Sequence, residues 1–421
     1  MKDLKVCVAT SRQWKGTEAA AELWSKIKKE VPNPKFILLF ATIDYKNEFK
    51  DILSHLTLEF RNTQLVGGTV AGFINHDGCY TRGATALAVD YPNMDVAVGI
   101  GHNTKRNPEK AGLECAKQIK EGLKSSKWKN KFLFTFIAGT EIPKMPGMGG
   151  GVIKSGAMTK LVKGGMRVSQ FLMQKSVGRE EDVLDQITRE LPDYGMIHGS
   201  TIDNVKMGKN YQFCGAEILT NSAVCLGITT DLNFDSDFGN GAKSNTKFDI
   251  TEISKNNQII SRINGKPAPS EFSRLLKKPE DLIFDSKYYN KRFPYFPCGM
   301  FQGDRLLLRA FVFVMSDSML SMSKMHKGDI FTVSITGKNM IESVKDTLSS
   351  MDKKPEFGFA SECAIRLMTL GSDIEKVRDN MKAFFKDKPF LVIYVAGEGV
   401  KKPNHEYFYM NESLAVTLFR R

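Results

Sequence analysis

One order of short apolar runs, amphipathic segments and glycine-bearing strands occurs twice in this chain, and that repetition restricts the fold more than any single motif. Residues 4–9 form a strand-length apolar run, and 17–30 place Ala20, Leu23, Trp24 and Ile27 at helical spacing, with Lys and Glu opposite. Val31-Pro32-Asn33-Pro34 ends that helix, because a residue before proline disfavours the helical region. Residues 36–42 read as a second buried strand, 47–60 as a second helix, and 64–68, 71–74, 81–89 and 95–101 as strands. His76-Asp77-Gly78 marks a turn between two of them, and 108–124 make a third helix. From residue 132 the order restarts. Residues 132–138 parallel 36–41, and 180–191 parallel the helix near Asn47. Gly67-Gly68-Thr69 followed by Gly83-Ala84 parallels His198-Gly199-Ser200 followed by Gly215-Ala216, at spacings of 15 and 16 residues. The strands 85–89 and 96–100 then correspond to 217–220 and 223–228. This predicts an internal duplication over 1–125 and 131–250.

A third region begins near Lys277-Lys278-Pro279. It carries predicted strands at 306–314, 330–335, 358–360 and 390–396 and helices at 339–351 and 372–386, the latter opened by a capping box of Ser372 and Glu375. The expected fold is mixed α/β: two related N-terminal mixed-sheet units with flanking helices (domain 1–275) and a C-terminal α/β domain (276–421). Tight turns between neighbouring strands argue against purely parallel sheets.

Lys and Arg outnumber Asp and Glu by 60 to 47, a net charge of +13. The basic residues are dispersed. Residues 124–131 put four lysines around Trp128, yet no recognition-helix or aromatic-strand pattern accompanies them, which argues against a nucleic-acid partner. The apolar runs 132–138 and 390–396 are far shorter than a membrane-spanning helix, and the N-terminus enters a strand pattern directly, without a signal-peptide core. Seven scattered cysteines with no CxxC spacing fit reduced thiols in a cytoplasm.

Walker A, G-x-S-x-G and HExxH motifs are absent, and the six histidines lie far apart, so no metal centre or cofactor is expected. The Gly/Met-rich stretch 143–165, with Gly147, Gly149, Gly150 and Gly151, does not fit a dinucleotide fingerprint and is expected to be a surface lid or a ligand-gating loop. Two C-terminal clusters sit at predicted strand ends. Ser361-Glu362-Cys363-Ala364-Ile365-Arg366 brings together a thiol, a carboxylate and a guanidinium, and arginine is a planar bidentate donor for carboxylates. Ala396-Gly397-Glu398-Gly399 is followed by His405 and Asn411-Glu412-Ser413.

In these residues the chain resembles the FIST sensory-domain family, in both its N-terminal and C-terminal parts. Gly67-Gly68-Thr69-Val70-Ala71-Gly72 is similar to the family's G-[CG]-[ST]-T-A-G segment, with Val70 for threonine and Phe73 where Glu is common. His198-Gly199-Ser200 resembles its second glycine motif, and Asn264-Gly265-Lys266-Pro267-Ala268 its N-G-x-P-A turn. Cys363 and Arg366 match S-C-x-x-R with one residue inserted, Gly397-Glu398 match G-E, and Asn411-Glu412-Ser413 matches N-x-T with serine for threonine. The resemblance implies a cytoplasmic small-ligand sensor for amino acids or related metabolites. Relatives often carry a signalling module; none is left over here, which implies a separate signalling partner protein. The ligand is then an amino-acid-like or anionic metabolite in an interdomain pocket, bound by Cys363, Arg366, Glu398, His405 and Asn411. Arg366 would hold a carboxylate and Glu398 accept from an ammonium. The alternative is an enzyme with Cys363 as nucleophile and His405 or Glu398 as base.

Overall fold

The computed structural model describes residues 3–141, 152–153, 178–279, 296–315, 317–352 and 354–421. Gly147, Gly149, Gly150 and Gly151 lie outside the described residues. The fold is mixed α/β, with four sheets among the described residues.

Three successive segments fold in one pattern. The first runs β1 (Lys5–Ser11), α1 (Gly16–Glu30), β2 (Phe36–Ala41), α2 (Phe49–Glu59), β3 (Gln64–Thr69), a hairpin of β4 (Gly72–Ile74) and β5 (Cys79–Tyr80), then β6 (Ala84–Asp90). The second runs β7 (Met94–His102), α3 (Pro108–Gly122), β8 (Asn130–Ala138), the short β9 (Val152–Ile153), α4 (Glu180–Glu190), β10 (Gly195–Thr201), a hairpin of β11 (Gln212–Cys214) and β12 (Glu217–Leu219), then β13 (Ser222–Thr230). The third opens with β14 (Asn233–Gly239) and then takes a long insert. The insert comprises β15 (Lys243–Ile253), β16 (Ile259–Ile263), β17 (Lys266–Pro267), α5 (Ala268–Leu276), β18 (Cys298–Gln302), β19 (Arg305–Arg309), β20 (Phe311–Met315), β21 (Ser318–Ser321) and β22 (Asp329–Ser334). The pattern resumes with α6 (Gly337–Ser350), β23 (Phe357–Cys363), α7 (Ala364–Leu370), α8 (Ile374–Phe385), β24 (Phe390–Val395), a hairpin of β25 (Glu398–Lys401) and β26 (Tyr407–Met410), then β27 (Leu414–Arg420).

Sheet order makes the repeat explicit. The three six-stranded sheets run β1-β6-β2-β3-β11-β12, β7-β13-β8-β10-β25-β26 and β14-β27-β23-β24-β4-β5. In each, one parallel pair (β2/β3, β8/β10, β23/β24) is crossed over by helix, and the remaining neighbours are antiparallel. Each unit lends its hairpin to the sheet of the unit before it, and the first unit lends its own to the third, in a closed cycle. At the strand ends the cycle closes through equivalent hydrogen bonds: Ile202 N to Thr69 O (3.0 Å), Ala396 N to Ser200 O (2.9 Å) and Ala71 N to Tyr394 O (2.9 Å). Thr69, Ser200 and Tyr394 are therefore equivalent positions. Three of the four sheets join strands from both sides of the expected 275/276 boundary.

Apolar patterning places the layers. Inner faces of the three sheets meet in an aromatic centre where Phe359 packs on Phe40, Phe134 and Phe136 at ring distances of 5.8, 5.3 and 6.2 Å. Outer faces carry separate clusters under α1 and α2, under α3 and α4, and under α6, α7 and α8. Gly67, at φ +152°, lets β3 lie against β2: a Cβ there would stand 1.9 Å from the Leu39 carbonyl oxygen.

The structure corrects four readings. The correspondence of Gly67-Gly68-Thr69 with His198-Gly199-Ser200 holds, but Gly215 is the turn of the β11–β12 hairpin; the register makes Ala84 equivalent to Ala223, and β13 the counterpart of β6. Glycine occurs in both turns, so spacing alone mismatched them. The third region belongs to the same repeat, its likeness interrupted by the insert between β14 and α6. The run 306–314 breaks after Arg309 into two strands. The Ser372/Glu375 capping box does not form, because Gly371–Asp373 make a 3₁₀ turn and α8 starts at Ile374 without a side-chain cap.

Candidate functional site

The third unit concentrates charge where its strands end. Arg366 lies in the first turn of α7, four residues after Glu362 near the end of β23, and its Nε donates to Glu362 Oε1 at 2.6 Å, both side chains fully buried. Its Nη2 donates to Met340 O at 2.7 Å, and Nη1 to Asn240 O and Ser343 Oγ, both at 3.4 Å. The guanidinium is thus engaged within the protein, so the expected grip of Arg366 on a ligand carboxylate meets a fork already in use.

Glu398, the first residue of β25, accepts the Ser413 N–H through Oε1 at 2.6 Å. Glu412 sits between Asn411 and Ser413 in the left-handed region (φ 54°), uncommon for a residue other than glycine or asparagine, and both its carboxyl oxygens are buried without a partner. Burial pushes the Glu398 and Glu412 carboxyls well above the usual carboxylate range, against the pull of Arg366. Tyr394 OH lies beside Glu362, and burial pushes that phenol up too. Cys363 is fully buried; burial and then Glu398 push its thiol well above its ordinary value, the opposite of what a nucleophilic thiolate needs.

Among the described residues, twelve buried side-chain nitrogen and oxygen atoms lack a hydrogen-bond partner, and six are here: Glu362 Oε2, Tyr394 OH, Glu398 Oε2, Asn411 Nδ2 and both oxygens of Glu412. The second unit shows what closure of the same position looks like. Gln212 takes the place of Glu398, and its Oε1 likewise accepts an equivalent N–H, that of Ser222, at 3.1 Å. Its Nε2 then donates to Thr201 Oγ1 (2.7 Å) and Asn210 Oδ1 (3.0 Å). The third unit has Val395 and Ala396 at those two places, so the second oxygen of Glu398 is left open. Asn221 occupies the Glu412 position at φ 50° and spends its Oδ1 on Thr104 and Lys105.

The remaining expected residues separate. Asn411 is in the cluster, its Oδ1 accepting from Ala310 N (3.1 Å) and Ser323 Oγ (2.7 Å). His405 is exposed on the β25–β26 turn, beyond the opposite end of the strand from Glu398. There it bonds to Pro403 O and lines an open cavity of about 600 Å³ with Asp185, Arg189, Lys401 and Tyr407. Glu362 entered the sequence reading only as the carboxylate beside Cys363 and Arg366, and Glu412 stood inside its motif without a role. Their sequence signals were the i,i+4 spacing to Arg366 and a glutamate at a turn position. Tyr394 had no local signal, because only the pairing of β24 brings it there.

A second buried group lies at Ser200, the equivalent of Tyr394. His198 Nε2 meets Ser200 Oγ at 2.9 Å and Nδ1 meets Thr135 Oγ1 at 3.0 Å, and burial pulls His198 down to about 3, so the ring is neutral. Burial pushes Glu180 up to about 7, with Lys105 and Ser200 opposing. Lys105, itself buried, pairs with Glu141 at 3.3 Å. Among the described residues no group of three or more His, Cys, Asp or Glu side chains is placed to hold a metal ion, and no helix is long and apolar enough to cross a membrane.

A repeated mixed-sheet scaffold with a buried polar site at the ends of its strands is the class this geometry defines. The FIST N domain profile matches residues 35–266, more than half of the sequence, and the chain belongs to the FIST family. The family's C-terminal domain is not separately matched. No curated protein matches the chain in sequence. Among solved structures, it is similar to the cyanuric acid hydrolase from A. caulinodans at 8% identity and a TM-score of 0.39, covering 100% of both chains. It is also similar to PurLQS from Thermotoga maritima at 9% identity and a TM-score of 0.18, covering 99% of this chain and 72% of that one. Likenesses this distant bear on neither fold nor activity.

Proposed function

We propose that this protein is a cytoplasmic sensor that binds a small amine-bearing, amino-acid-like metabolite at the Glu362–Glu398–Glu412 cluster and passes the signal to a separate partner protein. The observation that carries the reading is this set of six buried polar atoms, clearest at Glu398 Oε2, Asn411 Nδ2 and both Glu412 oxygens, because Tyr394 OH and Glu362 stand beside each other. Each such atom costs about 1–3 kcal/mol if nothing satisfies it, and here they converge on one strand-end site. Five of the six are carboxyl or hydroxyl oxygens, and a ligand ammonium entering among them would supply N–H donors together with the positive charge that lets the raised Glu398 and Glu412 carboxyls ionise. An ammonium group beside Glu398 and Glu412 supplies those donors, and Asn411 Nδ2 serves an acceptor on the ligand. This favours an amino-acid-like ligand over a purely anionic one, since Arg366 is already paired. The reading of Cys363 as a nucleophile has no such support, given its raised thiol.

The test is a thermal-unfolding panel of amino acids, simple amines and dicarboxylates against the wild-type protein and Glu412→Gln. A ligand at 100 times its Kd stabilises by about 2.7 kcal/mol. Amine-bearing compounds are expected to raise the wild-type midpoint, with the rise diminished in Glu412→Gln. Dicarboxylates that stabilise both proteins equally, with no effect of amines, would refute the reading.

A further inference from the structure

The cluster is fully enclosed, so anything that reaches it needs a moving part, and the insert of the third unit is built as one. Its first and last strands, β15 and β22, pair with each other, Lys243 against Ser334, so the insert joins the unit through a two-stranded neck. From there it reaches over the site. Leu308 O accepts from Asn411 N at 3.2 Å, while Ala310 N and Ser323 Oγ both donate to Asn411 Oδ1. Ala310, Val312, Leu320 and Met322 pack in one apolar cluster with Cys363, Ala364 and Ile365. The insert is therefore the roof of the site.

On its far side the roof is fastened by charge to the acidic first turns of α4. Lys324 Nζ bridges Asp182 Oδ1 (2.6 Å) and Asp185 Oδ2 (2.9 Å), and its backbone N–H donates to Glu181. Arg309 Nη2 stands 3.6 Å from Glu181 Oε1, its Nη1 donates to Tyr409 O at 2.6 Å, and its Nε to Lys324 O at 3.1 Å. Lys324 and Arg309 lie on the insert; Glu181, Asp182 and Asp185 lie on the second unit. The neck, the roof and this clasp, with the short β9–β20 strand pair and the Gln258–Gly178 hydrogen bond on the same side as the clasp, describe a flap with one hinge side and one latch side.

We propose that the β15–β22 insert is the gate of the buried site and that release of the Lys324/Arg309 clasp from α4 is the step that opens it. The gate rests on reading the cluster as a ligand site, but its opening is measurable without any ligand. Cys363 is a built-in reporter, because its thiol lies under the roof and is fully buried. Cys115 and Cys225, equally buried, lie in the layer of α3 and β13, away from the roof.

The experiment follows carbamidomethylation of each cysteine by iodoacetamide, read by mass spectrometry at fixed pH, in the wild type, Lys324→Met and Lys324→Arg. Loss of the clasp is expected to speed labelling of Cys363 about tenfold, equivalent to about 1.4 kcal/mol in the opening equilibrium, and to leave Cys115 and Cys225 unchanged. Lys324→Arg keeps the slow rate. Raising salt from about 0.05 to 1 M speeds Cys363 more in the wild type than in Lys324→Met, where only the Arg309–Glu181 pair is left to screen. An unchanged Cys363 rate in Lys324→Met overturns the proposal. So does acceleration of all three cysteines in step, which reports general unfolding. Failure of the ligand panel with a positive labelling result would leave the gate standing and remove only the ligand reading.

Discussion

Replacing Arg366 by methionine removes the one cation that, among the described residues, hydrogen-bonds Glu362 and leaves that carboxylate fully buried. Breaking a buried pair from one side costs about 3–5 kcal/mol, because the remaining charge has no compensation. The Met340 and Asn240 carbonyls also lose the guanidinium. With an unfolding entropy of about 2.1 cal/mol/K per residue, 421 residues give about 0.9 kcal/mol/K. The expected fall in Tm is therefore about 3–6 °C, measured by calorimetry at neutral pH. Adding Glu362→Gln to Arg366→Met removes the stranded charge and should recover at least half of that loss, which a merely steric role for Arg366 would not allow. A fall of less than 1 °C in the single variant, or no recovery in the double, would refute the account of Arg366 as an internal counter-ion.

Two further outcomes follow from burial. Glu180, at about 7 in the folded protein against 4.5 for an ordinary glutamate, binds its proton more tightly folded than unfolded, so it lowers stability as pH rises from about 4.5 to about 7 and adds no further slope above that. Glu180→Gln should gain stability relative to the wild type across that window, by up to about 3 kcal/mol, and denaturant titrations showing a pH-independent difference would contradict this. Phe359→Ala, at the meeting point of β2, β8 and β23, should cost about 3–5 kcal/mol in urea unfolding followed by fluorescence; a loss below 1 kcal/mol would show that the three sheets do not share that core.

The strands and helices of the first two units were readable because period carries them: 36–42 and 132–138 are continuous apolar runs, and α1, α2 and α3 show one apolar face each. The third unit escaped notice because nearly a hundred residues separate β14 from α6, so no fixed spacing survives. The cyclic exchange of hairpins left no trace in sequence either, since β4, β11 and β25 look alike whether they pair with their own sheet or with another. In the site, Cys363, Arg366, Glu398 and Asn411 were found as strand-end residues, and the structure brings them together. His405 was misplaced by proximity in sequence: a four-residue strand carries it past the far end of the hairpin, about 13 Å from the start. The engagement of Arg366 could not be read, because Met340, Asn240 and Ser343 reach it from the other end of the unit. The open valence of Glu398 becomes visible only beside Gln212.

The central claim is that an amine occupies the cluster between Glu398 and Glu412. The most direct measurement is a crystal structure of the protein with the amine-bearing compound that gives the largest rise in midpoint. The account predicts the ligand nitrogen within about 3 Å of Glu398 Oε2 or a Glu412 carboxyl oxygen, beneath the insert. A ligand seated instead in the open cavity beside His405 and Lys401, with the carboxyl cluster unchanged, would contradict it.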